Sequence, residues 1–177
     1  CIGGMPEAVK EYTEHGEFNR VRKVQNALVS AYENDMGKHP PTSDIANMRA
    51  VWNSVPGQLS KDNGRKFTYS LLDRKGGAAL YMSPIQWLCD YGLLNMVPRI
   101  SKPGVPLSAY TDRKAFKLFT LDVGILCAKS GIEPKAVVEG DRLFTEFRGA
   151  LSEQYVVQEL IARNHSPYYW TAEKSDG

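Results

Sequence analysis

The side chains able to do chemistry are few, and their spacing excludes most familiar arrangements. His15, His39 and His165 lie far apart, with no HExxH or HxxxH spacing, so no metal site is expected on them. Cys1, Cys89 and Cys127 are odd in number, widely separated and free of a CxxC pair. That argues against a disulfide framework or zinc ribbon and fits a reducing, cytoplasmic setting. Cys89 and Cys127 stand in apolar helical contexts and read as buried structural thiols. No GxSxG, SxxK or GxGxxG motif occurs. No GxxxxGK(S/T) loop is present to cradle phosphates, and no hydrophobic strand ends in an Asp-Glu pair, so this chain is not expected to hydrolyse ATP.

Two short stretches imitate a metal-dependent nuclease motif. Glu133-Pro134-Lys135 spells ExK, but Pro134 opposes a central strand. Asp112-Arg113-Lys114 spells DxK, but sits in an expected hairpin. Both read as solvent-facing turns. Basic residues gather in three places: Lys61, Arg65, Lys66, Arg74 and Lys75, then Arg99 and Lys102, then Arg113, Lys114 and Lys117. Asp62, Asp73 and Asp112 interrupt them. Such clusters suit phosphate contact, and they equally suit solvated loops.

The elements that would carry these residues are mostly helices. Pro6 to Glu14 predicts a short helix, with Pro6 at its first position. Glu17 to Met36 predicts a longer one with Phe18, Val21, Val24, Leu28, Ala31, Tyr32 and Met36 as its apolar stripe. Ser43 suits an N-cap for a helix with Ile45, Met48, Val51 and Trp52 inward, closing at Val55-Pro56. Ala78 to Tyr91 reads as a helix with Leu80, Trp87, Leu88 and Tyr91 on one face, restarted at Ser83-Pro84. Gly92 ends it. Leu93 to Ile100, Val105 to Tyr110 and Ala115 to Leu121 read as extended. Val123 to Lys129 is a short helix, and Phe144 to Arg163 a long one with Phe147, Leu151, Tyr155, Val156, Glu159 and Leu160 in play. Tyr168 to Thr171 is a β-prone run, and Trp52, Trp87 and Trp170 read as core.

Length and composition agree with a packed globular chain. The 177 residues are 42% hydrophobic and 24% charged, and 22 Lys and Arg against 20 Asp and Glu leave a net charge of +2. That excludes disorder and low complexity, and is too weak to imply nucleic acid without local concentration. The longest apolar run, Leu118 to Ala128, contains Asp122 and falls short of the ~18–20 residues of a membrane span. The chain starts at Cys1 and ends at Ser175-Asp176-Gly177, and both ends read as cuts within a longer protein.

Helices followed by a hairpin between Ser43 and Leu121 have the order of a winged helix. The third helix, Ala78 to Tyr91, would enter the major groove of DNA, yet it holds Gln86 as its only amide and no Arg. Contacts would therefore go mainly to phosphate. Winged helices also serve as protein-interaction modules.

The stretches VWNSVPGQLSKDNGRKFTYSLL, IQWLCDYGLL, FKLFTLDVGILCA, FRGALSEQYVVQEL and YYWTAEKSDG, in this order, resemble one bacterial and archaeal family of AAA+ superfamily ATPases. The resemblance runs from Gly3 to Gly177. It implies a P-loop ATPase core ahead of this chain, then lid-like helices over 1–41, a winged helix over 42–121 and the start of a PD-(D/E)XK nuclease-like domain over 122–177. The implied fold class is α+β and mostly helical. Gly4 and Pro6 match a Gly-x-Pro turn that related ATPases place against the adenine of the nucleotide, although a plain helix start explains them as well. Glu153 matches the helix glutamate that joins an Asp and an ExK motif around divalent metal, although a surface or helix-stabilising glutamate explains it too. The matching Asp and ExK would follow Gly177, and Asp176 belongs to the turn before them. ATP and magnesium would then belong to the parent protein and not to this chain. Double-stranded DNA, the ATPase core itself and further copies in an assembly would be its partners. The nucleic-acid residues would be Lys61, Arg65, Lys66, Arg74, Lys75 and Lys102. A free-standing winged-helix module and a self-sufficient nuclease are the competing accounts, and the second lacks a complete acidic site.

Overall fold

The computed structural model describes residues 2–38, 44–61, 66–74, 76–133 and 145–171. Cys1, His39, Ser43, Arg65, Lys75, Pro134, Lys135 and Asp176 lie outside these residues, as does the side chain of Lys61. The architecture is α+β and mostly helical, with six α-helices and one small antiparallel sheet among the described residues.

Helix α1 (Pro6–His15) opens with Pro6, whose fixed φ suits a helix start and whose missing donor costs nothing there. Gly16 closes it in the left-handed conformation and turns the chain into α2 (Phe18–Asp35). The Tyr12 and Phe18 rings meet across that turn at 5.1 Å. Helix α2 buries Val21 and Gln25, and Met36 just beyond it is fully covered.

Helix α3 (Ile45–Lys61) turns Met48, Val51, Trp52, Val55 and Leu59 into the core. It runs straight through Pro56, where a break is expected from sequence. Proline leaves the Trp52 carbonyl without its helical donor, but burial of Val55 and Leu59 on either side holds the turn. Helix α4 (Ala78–Asp90) is likewise continuous through a buried Pro84 and does not restart there. Its inward face is Tyr81, Pro84, Ile85 and Leu88, whereas Leu80 and Tyr91 are exposed. The expected face is therefore rotated by about one residue. Both stripes are apolar, and aromatic packing selects between them: Tyr81 stacks on Tyr69 at 6.3 Å, and Phe67 stacks on Phe116 at 5.6 Å.

Gly92 (φ 72°) leads into strand β1 (Leu94–Ile100), which pairs antiparallel with β2 (Thr111–Thr120). Between the strands, Leu107–Tyr110 forms a 3₁₀ turn rather than the expected extended run. The register passes from Pro98↔Phe116 to Arg99↔Asp112, so Arg113, Lys114 and Ala115 bulge from β2. Single residues extend both edges. Phe67 donates its N–H to the Phe116 carbonyl at 2.7 Å, and Tyr169 exchanges hydrogen bonds with Pro98 and Ile100 on β1. Trp170 beside it is half exposed and not core.

Helix α5 (Val123–Lys129) follows β2 and is almost wholly buried. Helix α6 (Thr145–Ala162) buries Phe147, Ala150, Leu151, Gln154 and Val157, while Tyr155, Val156 and Leu160 face outward. Buried side chains from Met36 to Val157 form one connected cluster around Trp52, Phe119 and Leu126.

Candidate functional site

The expected nucleic-acid residues divide once placed. Lys66, Arg74 and Lys102 are exposed, and Lys102 lies over the Tyr110 ring at 4.8 Å. Arg113 and Lys114 point outward from the bulge. Lys117, expected with them, is a correction. Its side chain is 6% exposed and is ion-paired with Glu153. It belongs to Ala115–Thr120, the stretch of β2 that is covered on both faces. Arg99 is also engaged, donating through Nη2 to Asp112 Oδ2 at 2.6 Å. Helix α4 contributes no cation, and its Gln86 donates to Asp90.

Glu153 stands on α6 and accepts a hydrogen bond from the Lys117 ammonium. The same ammonium lies 4.9 Å from the centre of the Tyr169 ring. Strand β2, helix α6 and the Tyr169 segment thus meet on one buried charge. As placed, the glutamate serves that lysine first. A metal ligand role would require the pair to open.

Gly4 and Pro6 lie at a different junction. The Gly4 N–H donates to Asp122 Oδ2 at 2.6 Å, while Oδ1 of the same carboxylate accepts from Gly124 and Ile125 at 2.7 and 3.1 Å. Asp122 is thus the N-cap of α5 and the anchor of the N-terminal turn at once. Gln25 donates to the Ile2 carbonyl, and Gln158 accepts from Val123. The approach is close: a Cβ on Gly3, whose φ is 79°, would lie 2.2 Å from Asp122 Oδ1. Just beneath, Gln154 makes three hydrogen bonds to Thr120, through its backbone N–H and carbonyl and its hydroxyl.

Sequence reasoning missed this polar hub. Two signals were available. Asp122 directly precedes an apolar helical run, and Gln25 interrupts the apolar stripe of α2 between Val21 and Leu28. Nothing local marks Gln154.

A second buried charge joins α2, α3 and α5. The Lys129 side chain is 4% exposed, with its ammonium 4.1 Å from the Trp52 ring centre, 3.2 Å from Asn53 Oδ1 and 3.7 Å from Glu33 Oε1. Desolvation outweighs the Glu33 charge and pushes the amine down to about 8. The unfolded amine keeps a value near 10.5, so between pH 8 and 10.5 the unfolded chain binds more protons. Folding stability from this group therefore rises with pH across that window. Burial pushes the Cys89 and Cys127 thiols up to about 11, which acts in the opposite sense above pH 9. Urea unfolding of wild type and Lys129→Met at pH 7, 8, 9 and 10 separates the two. The wild type is expected to gain on the variant as pH rises, and a constant difference would contradict the assignment.

The N-terminal turn, the hairpin and α5 all fall within residues 1–136, the stretch matched by a family model described as Domain of unknown function (DUF8612). The chain belongs to this family. The match ends before α6, so Glu153 lies outside the family's stretch, whereas Gly4, Pro6, Asp122 and the basic hairpin lie inside it. No curated protein and no solved structure matches the chain. Among the described residues, no helix is long and apolar enough to cross a membrane.

Proposed function

We propose that the chain is the C-terminal part of an AAA-type ATPase, in which lid-like helices lead into a winged helix and then into the start of a nuclease-like domain. In this reading the winged helix contacts the phosphate backbone of double-stranded DNA and couples it to the nucleotide state of the ATPase core. The observation that carries it is the hydrogen bond from Phe67 to Phe116. It lays Phe67 alongside β2 between α3 and the 3₁₀ turn Tyr69–Leu71, with α4 and the hairpin following, an arrangement compatible with the order of a winged helix. The exposed cations Lys66, Arg74, Lys102, Arg113 and Lys114 lie on the hairpin and the loops before α4 and β2. With no Arg or Lys on α4, the contacts are to phosphate and carry little sequence information.

ATP and magnesium belong to the proposed core. The sequence has no GxxxxGK(S/T) loop, and the Gly4 amide is engaged by Asp122. The Asp122 hub instead offers a mechanical link, because movement of the Gly3–Gly4 turn acts directly on α5 and, through Gln158, on α6.

A second reading is favoured by the outward face of α4. Leu80 and Tyr91 are exposed there, with the Trp87 and Tyr91 rings stacked at 3.9 Å, a surface better suited to a protein partner than to phosphate. The variant Lys66→Gln/Arg74→Gln/Lys102→Gln separates the readings. Loss of about tenfold or more in duplex affinity is expected if these side chains neutralise phosphates. Unchanged affinity would favour the protein partner.

A further inference from the structure

Asp112 is the one carboxylate in the most basic part of the hairpin, and a carboxylate there should repel phosphate. Both of its oxygens are occupied, however. Oδ2 accepts from Arg99 Nη2 at 2.6 Å, and Oδ1 accepts from the Lys114 backbone N–H at 2.9 Å. Arg99 is the direct cross-strand partner of Asp112, and Lys114 lies in the bulge that begins one residue after it. Lys66, on the loop that pairs with β2, is close enough for its charge to act on Asp112 as well. Two cations, Arg99 and Lys66, therefore act on this carboxylate, and the Lys114 backbone N–H holds its other oxygen. Arg99 is still 42% exposed, so part of its planar fork faces solvent. Its Nε and the hydroxyl of its bridge partner Tyr169 are buried without a hydrogen-bond partner among the described residues. The exposed remainder of the Arg99 side chain is what an oxyanion arriving from solvent would meet.

We propose that Asp112 is a positioning residue, holding Arg99, Lys66 and the Lys114 loop as a preset cradle for one oxyanion, a phosphodiester of the DNA backbone. The proposal rests on the DNA reading for the source of that oxyanion, and the same chemistry would accept free phosphate. Its signature is a reversal of sign. If charge alone mattered, Asp112→Asn would remove a repulsion and tighten binding. If Asp112 positions the cradle, the variant releases Arg99 and weakens binding although the protein becomes more positive.

The test measures a labelled random-sequence duplex by fluorescence anisotropy over a range of salt, for wild type, Asp112→Asn and Arg99→Lys. In parallel, inorganic phosphate is titrated into each protein while the Lys114 amide and the Arg99 Nε–H are followed by NMR. Thermal melting confirms that each variant is folded. The expected result is about three- to tenfold weaker duplex binding for Asp112→Asn, with a salt slope smaller by about one. Arg99→Lys is expected to weaken binding similarly, because lysine keeps the charge but loses the fork. Duplex binding that is unchanged or tighter in Asp112→Asn overturns the positioning role and leaves the DNA reading standing. Saturable phosphate shifts at Lys114 and Arg99 that vanish in Asp112→Asn, without duplex binding, support the cradle and overturn the DNA reading. Neither duplex binding nor phosphate shifts overturns both.

Discussion

Glu153→Gln is expected to destabilise the fold by about 2–3 kcal/mol, lowering the melting temperature by roughly 6 °C. The cause is the partner left behind. Lys117 is 6% exposed, so its ammonium would remain in the interior with only the Tyr169 ring and a neutral amide for company. Breaking a fully buried pair costs about 3–5 kcal/mol, and the lower figure reflects a glutamate that is 37% exposed and partly solvated. Lys117→Met/Glu153→Gln should recover most of the loss, because no charge is then stranded. A double-mutant cycle from urea unfolding reads the coupling directly. A stability unchanged or raised in Glu153→Gln would show that the carboxylate is not holding Lys117 and would return it to the role of a free acidic ligand.

Asp122→Ala should be the most damaging single polar substitution, at about 3 kcal/mol or more. Loss of an N-cap alone costs about 1 kcal/mol, and here three backbone donors lose their acceptor together in a residue that is 3% exposed. Asp122→Asn keeps one acceptor oxygen and should retain the α5 cap, at a smaller cost. The two variants also differ in what they release. In Asp122→Ala the Gly4 amide should exchange with solvent much faster than in wild type, because its acceptor is gone. If Gly4 exchange and stability were both unaffected, the N-terminal turn would not be anchored at Asp122, and the proposed link from that turn to α5 and α6 would fail.

Local chemistry made much of the fold legible before any coordinates. Pro6 opens α1, Gly92 separates α4 from β1, and α5 occupies Val123–Lys129 as its apolar run predicts. Each of these depends on residues within a few positions of one another. What was not legible depends on distant partners. The face of α4 was ambiguous because Leu80, Tyr81, Trp87 and Leu88 give two adjacent apolar stripes, and Tyr69 and Phe116 choose between them. Pro56 and Pro84 read as breaks because the local cost of proline is visible and the compensating burial is not. Lys117 read as a surface cation because its counter-ion lies 36 residues away on α6. Its position between Phe116 and Leu118, in a strand buried on both faces, was the available hint. The anchor of Gly4 lies 118 residues downstream, beyond any local pattern. The candidate site was therefore readable as a composition of cations, but not as a geometry. Sequence supplied Lys66, Arg74 and Lys102, and the fold added the bulge, the Arg99–Asp112 pair and the removal of Lys117.

The central claim, that this chain meets DNA through the phosphate backbone, is tested most directly by the salt dependence of wild-type binding. A fluorescently labelled duplex of random sequence would be titrated with the chain at 50, 100 and 200 mM salt and followed by anisotropy. About four phosphate contacts should give a slope of log affinity against log salt near −3.6, a loss of roughly 100-fold across that range. Two unrelated duplexes should bind alike. No binding at 50 mM, or binding indifferent to salt, would contradict the claim and leave the outward face of α4 as the working surface of the hairpin unit.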